Sequence, residues 1–507
     1  MFSVCKNAKI MKRYISLLVL SFLLTGGKLA AQNEEDALRY SQLFDAGATA
    51  RAMSMGGAFG ALGGDLYSLS INPAGLAVFR RSAIVITPTF MHDKTSSVYL
   101  NTYDDDVENH FSMGNAGGVW AYSTGDSEGW VNFNLGFSYT KRTDFWRTLD
   151  VRGVNDHSSM LDDFANRADG YRAEDLDPYS SLLAYNTWLI DTVRGNPLDY
   201  ETVLSQYGDL ANSVYGEEQF RTLYTSGSSN EYIFAFAANY SYKLYIGGTF
   251  TIRNLQYESS LYHSETDRKM QIFDFDYFKY RYHLRTYGSS FSGSFGTIFR
   301  PVTALRLGAS VHFPSVLRLH DTYFSSMEAG FDTPDQDNNK VYTDGSPNGY
   351  YDYRLTTPWR FTGSIAYQFK TLALFSLDYE YIDYKGMKLR SMDGGYDFNY
   401  ENEAIRTAYR GTGNIRGGVE VMLANYALRA GVACYGSPYN SGELNQDAGS
   451  MAYSAGLGYR THDFSVDVGY RYMTHDENYV LYPNDQGDYA ATSSDRHRVS
   501  VTFTFRF

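Results

Sequence analysis

The end of the chain alternates. Val499, Val501, Phe503, Phe505 and Phe507 fall on one face of an extended backbone, and Arg498, Ser500, Thr502, Thr504 and Arg506 fall on the other. A period of two marks a strand with one apolar and one polar face. The pattern recurs upstream. Leu305, Leu307, Ala309, Val311 and Phe313 oppose Arg306, Gly308, Ser310 and His312. Phe375, Leu377, Tyr379 and Tyr381 oppose Ser376, Asp378 and Glu380, and Val419 and Val421 oppose Arg416, Gly418 and Glu420.

Followed along the whole chain, the alternation predicts fourteen strands, near 83–91, 116–123, 131–141, 231–242, 245–256, 285–299, 302–313, 358–369, 372–384, 412–422, 425–435, 450–460, 463–473 and 496–507. Most are long enough to cross a bilayer when tilted. Their connections alternate in length. Tight turns are expected at Lys243–Leu244, Arg300–Pro301, Lys370–Thr371, Leu423–Ala424 and Thr461–His462, and a longer one at Ser123–Trp130. Long loops are expected at 92–115, 142–230, 257–284, 314–357, 385–411, 436–449 and 474–495. Short turns at one end and long loops at the other are the periplasmic and external ends of a bacterial transmembrane barrel. An even strand count returns the C-terminus to the periplasmic side, and the N-terminus is expected there too. The loop at 142–230 is too long to be structureless. Helical spacing predicts short helices at 178–194 and 198–212 over the barrel mouth.

The reading is therefore an all-β chain: a 14-stranded antiparallel transmembrane β-barrel over 83–507. Composition fits it. Mean hydropathy is −0.37, yet Tyr (46), Phe (32) and Gly (46) are abundant. Barrels of this kind are apolar on one face only and carry aromatic girdles. The terminal Phe503, Phe505 and Phe507 resemble the signal that directs outer-membrane barrels to be closed and inserted.

Residues 1–31 read as a secretory signal peptide. Lys12 and Arg13 precede the apolar run Tyr14–Leu24, and small residues follow up to Ala31. That run is too short to span a bilayer as a helix. The five basic residues of this leader, Lys6, Lys9, Lys12, Arg13 and Lys28, come off with it, so the mature chain is more acidic than the formal −13 of the whole. Such acidity argues against nucleic acid as a partner. Of two cysteines, only Cys434 lies beyond the leader, so closure of the sheet must supply the stability a disulfide would give.

Residues 32–82 are not strand-like. Small residues dominate Ala46–Ala58, with Gly56 and Gly57 near its end. The stretch Ser70-Ile71-Asn72-Pro73-Ala74-Gly75-Leu76-Ala77 follows. Pro73 fixes its own φ and pushes Asn72 out of the helical region, which makes a turn. A compact piece of this size fits inside a 14-stranded lumen. The run Ala50-Arg51-Ala52-Met53-Ser54-Met55-Gly56-Gly57-Ala58-Phe59, with Asp65 and Asn72-Pro73-Ala74-Gly75-Leu76-Ala77, is similar to the N-terminus of FadL-type outer-membrane proteins. The resemblance implies a 14-stranded barrel with an N-terminal hatch (plug) in its lumen, to which Asn72, Pro73, Ala74 and Gly75 would belong. It also implies passive uptake of a hydrophobic small molecule, such as a long-chain fatty acid or hydrocarbon, across the outer membrane of a Gram-negative-type cell.

Lumenal faces predicted from alternation carry Arg306, Asp378, Glu380, Arg416, Glu420 and Arg429, along with Arg253, Asp467, Arg471 and Arg498. Mixed charges there suit a polar channel or a locked plug, and argue against an apolar tunnel along the axis. The alternative function is a non-transporting barrel subunit or scaffold in a larger secretion or assembly complex, with other outer-membrane proteins as partners besides membrane lipid. No nucleophile-elbow or zincin pattern points to an enzyme. Asp335-Gln336-Asp337-Asn338-Asn339 has Lys340 where an EF-hand needs Gly and Ser346 where it needs Glu, so neither metal nor cofactor is expected.

Overall fold

The computed structural model describes residues 33–44, 47–205, 214–484 and 486–507. The expected signal peptide lies outside them. Fourteen antiparallel strands form a closed barrel. In chain order they are β1 Ala83–Tyr99, β2 Thr102–Ser123, β3 Trp130–Asp144 continued by Arg147–Asn155, β4 Glu217–Tyr240, β5 Leu244–Thr266, β6 Tyr277–Val302 and β7 Leu305–His312 continued by Val316–Gly330. There follow β8 Gly349–Thr356 continued by Arg360–Phe369, β9 Ala373–Asp383 continued by Lys388–Ser391, β10 Gly411–Leu423, β11 Tyr426–Tyr435, β12 Ser450–Arg460, β13 Phe464–Tyr479 and β14 Ala490–Arg506. Each pairs with its neighbour, and β1 closes on β14 from Ala83↔Arg506 to Val98↔Ala491. Closure leaves no unpaired edge, which a bilayer would not tolerate.

The pleat sorts side chains as the alternation requires. Phe90, Leu135, Phe236, Phe250, Phe291, Phe361, Leu377, Leu457 and Phe505 are exposed on the outer face. Their neighbours Thr89, Asn134, Thr251, Ser290, Thr362, Asp378 and Thr504 are buried inside. Near the short-turn end, Trp130 packs edge-on to Tyr240 at 5.2 Å, the position of an aromatic girdle.

Several strands run far beyond the predicted ends. The expected loop at 92–115 is a hairpin that turns on Leu100 and Asn101, both with positive φ (46° and 64°). Two residues in that conformation suit the strand twist. Much of 257–284 and 314–357 is likewise strand. The reason is an inversion of polarity. Along the lower part of β6, Phe291, Phe295 and Phe299 point outward. Along its upper part Arg281 and Arg285 are exposed and Lys279 is half-buried, while Phe278, Tyr280 and Leu284 are buried. Along this strand the outside is apolar below the bilayer surface, and above it the outside is charged and the inside largely apolar. A search for outward apolar positions stops at that level.

The region 142–230 contains helices Met160–Ala168 and Ser181–Asn186. The second lies within the expected 178–194. The helix expected at 198–212 is not found in its described part: Tyr200–Thr202 pairs with Ile190–Thr192 as a strand. Short helix Asn399–Ala408 stands in the loop 385–411, where none was expected. Leu149, Leu161, Phe164, Leu183, Phe275, Phe278 and Leu481 form a core that roofs this end of the barrel.

The chain before β1 lies inside the wall. Helix α1, Glu34–Ser41, sits high in the lumen, where Arg39 stacks on Tyr257 at 5.0 Å. The segment from Gly47 then runs down to Ser82, whose carbonyl accepts from Phe507 N at 3.1 Å. The first described residues and the C-terminus are therefore at opposite ends of the barrel. The N-terminus expected at the short-turn end lies outside the described residues. Strand parity fixes the C-terminus, but a segment that threads the lumen can begin at either end.

Candidate functional site

At its lower levels the interface between the inner segment and the wall combines an apolar patch, where Leu66, Leu69, Leu76 and Ala77 meet Val85, Val119, Ile233 and Ile298, with a polar seam. Arg51 reaches from helix α2, Ala50–Ser54, and makes a two-pronged contact: Nε and Nη2 donate to Glu420 Oε2 and Oε1 at 2.8 Å each. Glu420 also accepts from Arg429 Nε at 2.6 Å, and Arg429 Nη1 donates to Asp467 Oδ1 at 2.7 Å. One carboxylate thus joins a guanidinium of the inner segment to one of the wall. Planar forks of this kind are among the stronger charge-assisted bonds.

Asn72 is a second junction. Its Nδ2 donates to Gly60 O at 2.6 Å and to Thr297 O on β6 at 3.0 Å. Its Oδ1 accepts from Ala74 N at 3.1 Å and caps the tight helical turn Pro73–Val78. Pro73, first in that turn, has no N–H to leave unsatisfied. The wall opposite has no side chains: a Cβ on Gly296 would overlap Asn72 Oδ1, and one on Gly247 would stand 2.6 Å from Pro73 O. Gly75 packs equally tightly on Ser68 and Gly63. Gly56 and Gly57 take φ of +65° and +77°, where other residues are strained.

The remaining predicted lumen charges also face inward. Arg306 Nη1 donates to Leu62 O at 2.6 Å, and Asp378 Oδ2 accepts from Gly60 N at 2.9 Å. Glu380 stays within the wall, 3.3 Å from Arg416 and 3.5 Å from Arg360. On the outer face, Phe503 is half-buried, while Phe505 and Phe507 are exposed. Sequence reasoning missed several anchors. Asn134 Nδ2 donates to Leu76 O at 2.7 Å, Ser310 Oγ to Ile71 O at 2.7 Å, and Ala50 N to Thr502 Oγ1 at 2.7 Å. All three wall residues lie on inward faces of predicted strands, so their sidedness was available and their partners were not. Arg51 belongs to the N-terminal motif, and nothing in the sequence signals that its charge is paired.

Above this polar seam the lumen becomes apolar. Ala37, Leu38 and Tyr40 of α1 pack with Leu255, Tyr257, Leu284, Leu317, Leu319, Tyr353, Leu355 and Ile405. Tyr40 OH donates to Thr286 Oγ1 at 3.1 Å, and Arg253 Nη2 donates to Tyr40 O at 2.7 Å. Between the two levels lies a polar cavity of about 40 Å³, bordered by Ser41, Glu231, Arg253, His312 and Arg360. The described chain therefore fills its own apolar chamber with α1.

Outside the membrane, the roof contains a buried carboxylate pair. Glu265 accepts from Met160 N at 2.9 Å and from Gln219 Nε2 at 3.1 Å. Burial pushes both Glu265 and nearby Glu217 up from the ordinary carboxylate range. Burial and the neighbouring Arg221 hold His263 well below its usual value.

No protein-family model matches the chain, and no curated protein matches it. Solved structures do. A Pseudomonas aeruginosa FadL homologue superposes with a TM-score of 0.56 over 91% of this chain and 98% of its own, at 12% identity. The chain has the FadL-type fold. The Pseudomonas putida toluene transporter TodX gives 0.51 over 92% of this chain and 100% of its own, again at 12% identity. At such identity the FadL-type likeness covers the path of the backbone and does not extend to ligand-contacting side chains.

Proposed function

We propose that this chain is an outer-membrane channel for passive uptake of hydrophobic small molecules, long-chain fatty acids or similar compounds, with residues 32–82 as its hatch. The observation that carries this reading is the apolar chamber occupied by α1 above a plug locked by hydrogen bonds. A hydrophobic ligand gains free energy from such a chamber only by displacing what fills it. α1 is the natural first mover, because its continuation below is held by Arg51, Asn72 and the carbonyls of Leu62, Ile71 and Leu76. In this reading the extended strands and roof are external and the C-terminus is periplasmic. Lipid is the solvent of the wall. The roles of Asn72, Pro73, Ala74, Gly75, Gly56 and Gly57 are to let the hatch sit against bare backbone.

The test is uptake by cells that depend on this gene for entry of a labelled long-chain fatty acid or a monoaromatic hydrocarbon. Uptake that falls on deletion and is restored by the intact chain supports the channel. Unchanged uptake for both classes, with a stoichiometric protein partner retained after purification in mild detergent, overturns it. The scaffold reading has one observation in its favour: Met270 and Phe273, at 85% and 91% exposure, stand at the tip of the β5–β6 hairpin. Exposed apolar side chains at a loop tip suit a protein partner.

A further inference from the structure

Three arginines lie in one row across the outer face of the barrel. Arg318 on β7 is directly opposite Arg354 on β8, and Arg354 is directly opposite Arg390 on β9. All three are exposed. Opposed like charges on neighbouring strands are destabilising. The nearby acids of this face are engaged elsewhere. Asp352 is 2.6 Å from His320, Glu258 is 3.5 Å from His283, and Glu328 is 2.8 Å from Lys279. Among the described residues the three guanidiniums have no ion pair. Lys385, Lys388, Arg285 and Arg281 add positive charge on the same side, all exposed. This happens on a chain of net charge −13.

Their height is informative. Beneath Arg318 the outward positions of β7 are Val316, Phe313 and Leu307, and beneath Arg354 are Trp359 and Phe361, all exposed. From Leu305 to Val316 the strand advances roughly 36 Å, or about 28 Å of height at a tilt of about 40°. That is close to the hydrocarbon thickness of a bilayer, about 30 Å. The arginine row therefore stands at the level of lipid headgroups, one outward position above the apolar belt. Directly opposed side chains are about 5 Å apart, so the row spans about 10 Å. A phosphate can accept forked bonds from two guanidiniums at once, which offsets their repulsion.

We propose that Arg318, Arg354 and Arg390 form a binding site for a phosphate-bearing lipid headgroup of the outer leaflet. The site rests on the orientation given above, with the extended strands external. The full chain in mild detergent is titrated by native mass spectrometry with lipid A carrying its phosphates, with the same lipid dephosphorylated, and with inorganic phosphate. The phosphorylated lipid binds the native protein, and R318Q/R354Q/R390Q weakens it by about tenfold or more, because charge-assisted bonds to the phosphate are lost. Arg354→Gln alone gives an intermediate loss. Folding of each variant is checked by its heat-dependent gel migration. Equal binding of the dephosphorylated lipid, or of the triple variant, overturns the site. Competition by inorganic phosphate at the concentrations that saturate with lipid overturns the lipid as occupant. Orientation is read separately, by labelling N338C in a C434S background on intact cells with an impermeant maleimide. Absence of labelling there removes the outer leaflet from the argument and fails the orientation as well. Labelling together with unaltered lipid binding fails the site alone.

Discussion

Glu420→Gln is the sharpest probe of how the hatch is held. In the native chain this carboxylate accepts two bonds from Arg51 and one from Arg429, all between 2.6 and 2.8 Å. Its side chain is 5% exposed and that of Arg51 13%. Removing one member of a buried ion pair costs roughly 3–5 kcal/mol, because the other charge is left in a poor environment. Gln keeps one acceptor, so the lower end, about 3 kcal/mol, applies to this substitution. If the hatch leaves the wall when the channel opens, only the part owed to Arg51 falls on the closed state, because the Arg429 pair stays within the wall; with two of the three bonds from Arg51, that part is about 2 kcal/mol. At about 1.4 kcal/mol per factor of ten, the open fraction rises by about thirtyfold. The assay is conductance of the purified barrel in planar bilayers, with entry of a large polar antibiotic into cells as the companion. Glu380→Gln is the control: it disturbs the wall pairs with Arg416 and Arg360. It should lower thermal stability without raising conductance. The reasoning is refuted if E420Q conducts like the native protein, or if E380Q opens the barrel equally.

Other substitutions separate fit from charge. Gly296→Val places a branched side chain where Asn72 lies, so residues near Asn72 should become sensitive to protease in folded barrels, whereas Gly363→Ala, with nothing near its Cβ, should not change the digestion pattern. Leu38→Ala empties part of the apolar chamber and should lower the melting temperature, with a cost of about 2–5 kcal/mol, while increasing binding of an apolar fluorescent probe. An unchanged probe affinity would remove α1 from the ligand path. The part of the roof's stability carried by Glu265 and Glu217 should be greater in mild acid than at pH 8, because their folded values are raised above the unfolded 4.5, while His263, held below its usual value, acts in the opposite sense. Their stabilisation is complete below that value and is lost as pH rises through the folded values. Melting followed by near-UV dichroism at pH 5 and pH 8 reads this, and E265Q should reduce the difference.

The sequence by itself determined the wall. Period two assigns each side chain to a face locally, so the inward placement of Arg306, Asp378, Glu380, Arg416, Glu420 and Arg429 was legible, as was the strand number. The turn at Asn72-Pro73 was legible too, since Pro acts on its own and the preceding residue. The upper half of β6 carries the same alternation with inverted polarity, and its outward charge reads as a solvated loop; the upper halves of β1 and β2 are polar inside and mixed outside, which removes the one-sided apolar signal altogether. The tertiary structure alone decided who meets whom. Arg51 finds Glu420 because the inner segment crosses the lumen at that height, and Arg318, Arg354 and Arg390 align because three strand registers coincide. Alternation gives a face but neither a height nor a neighbour; closure of the barrel sets both.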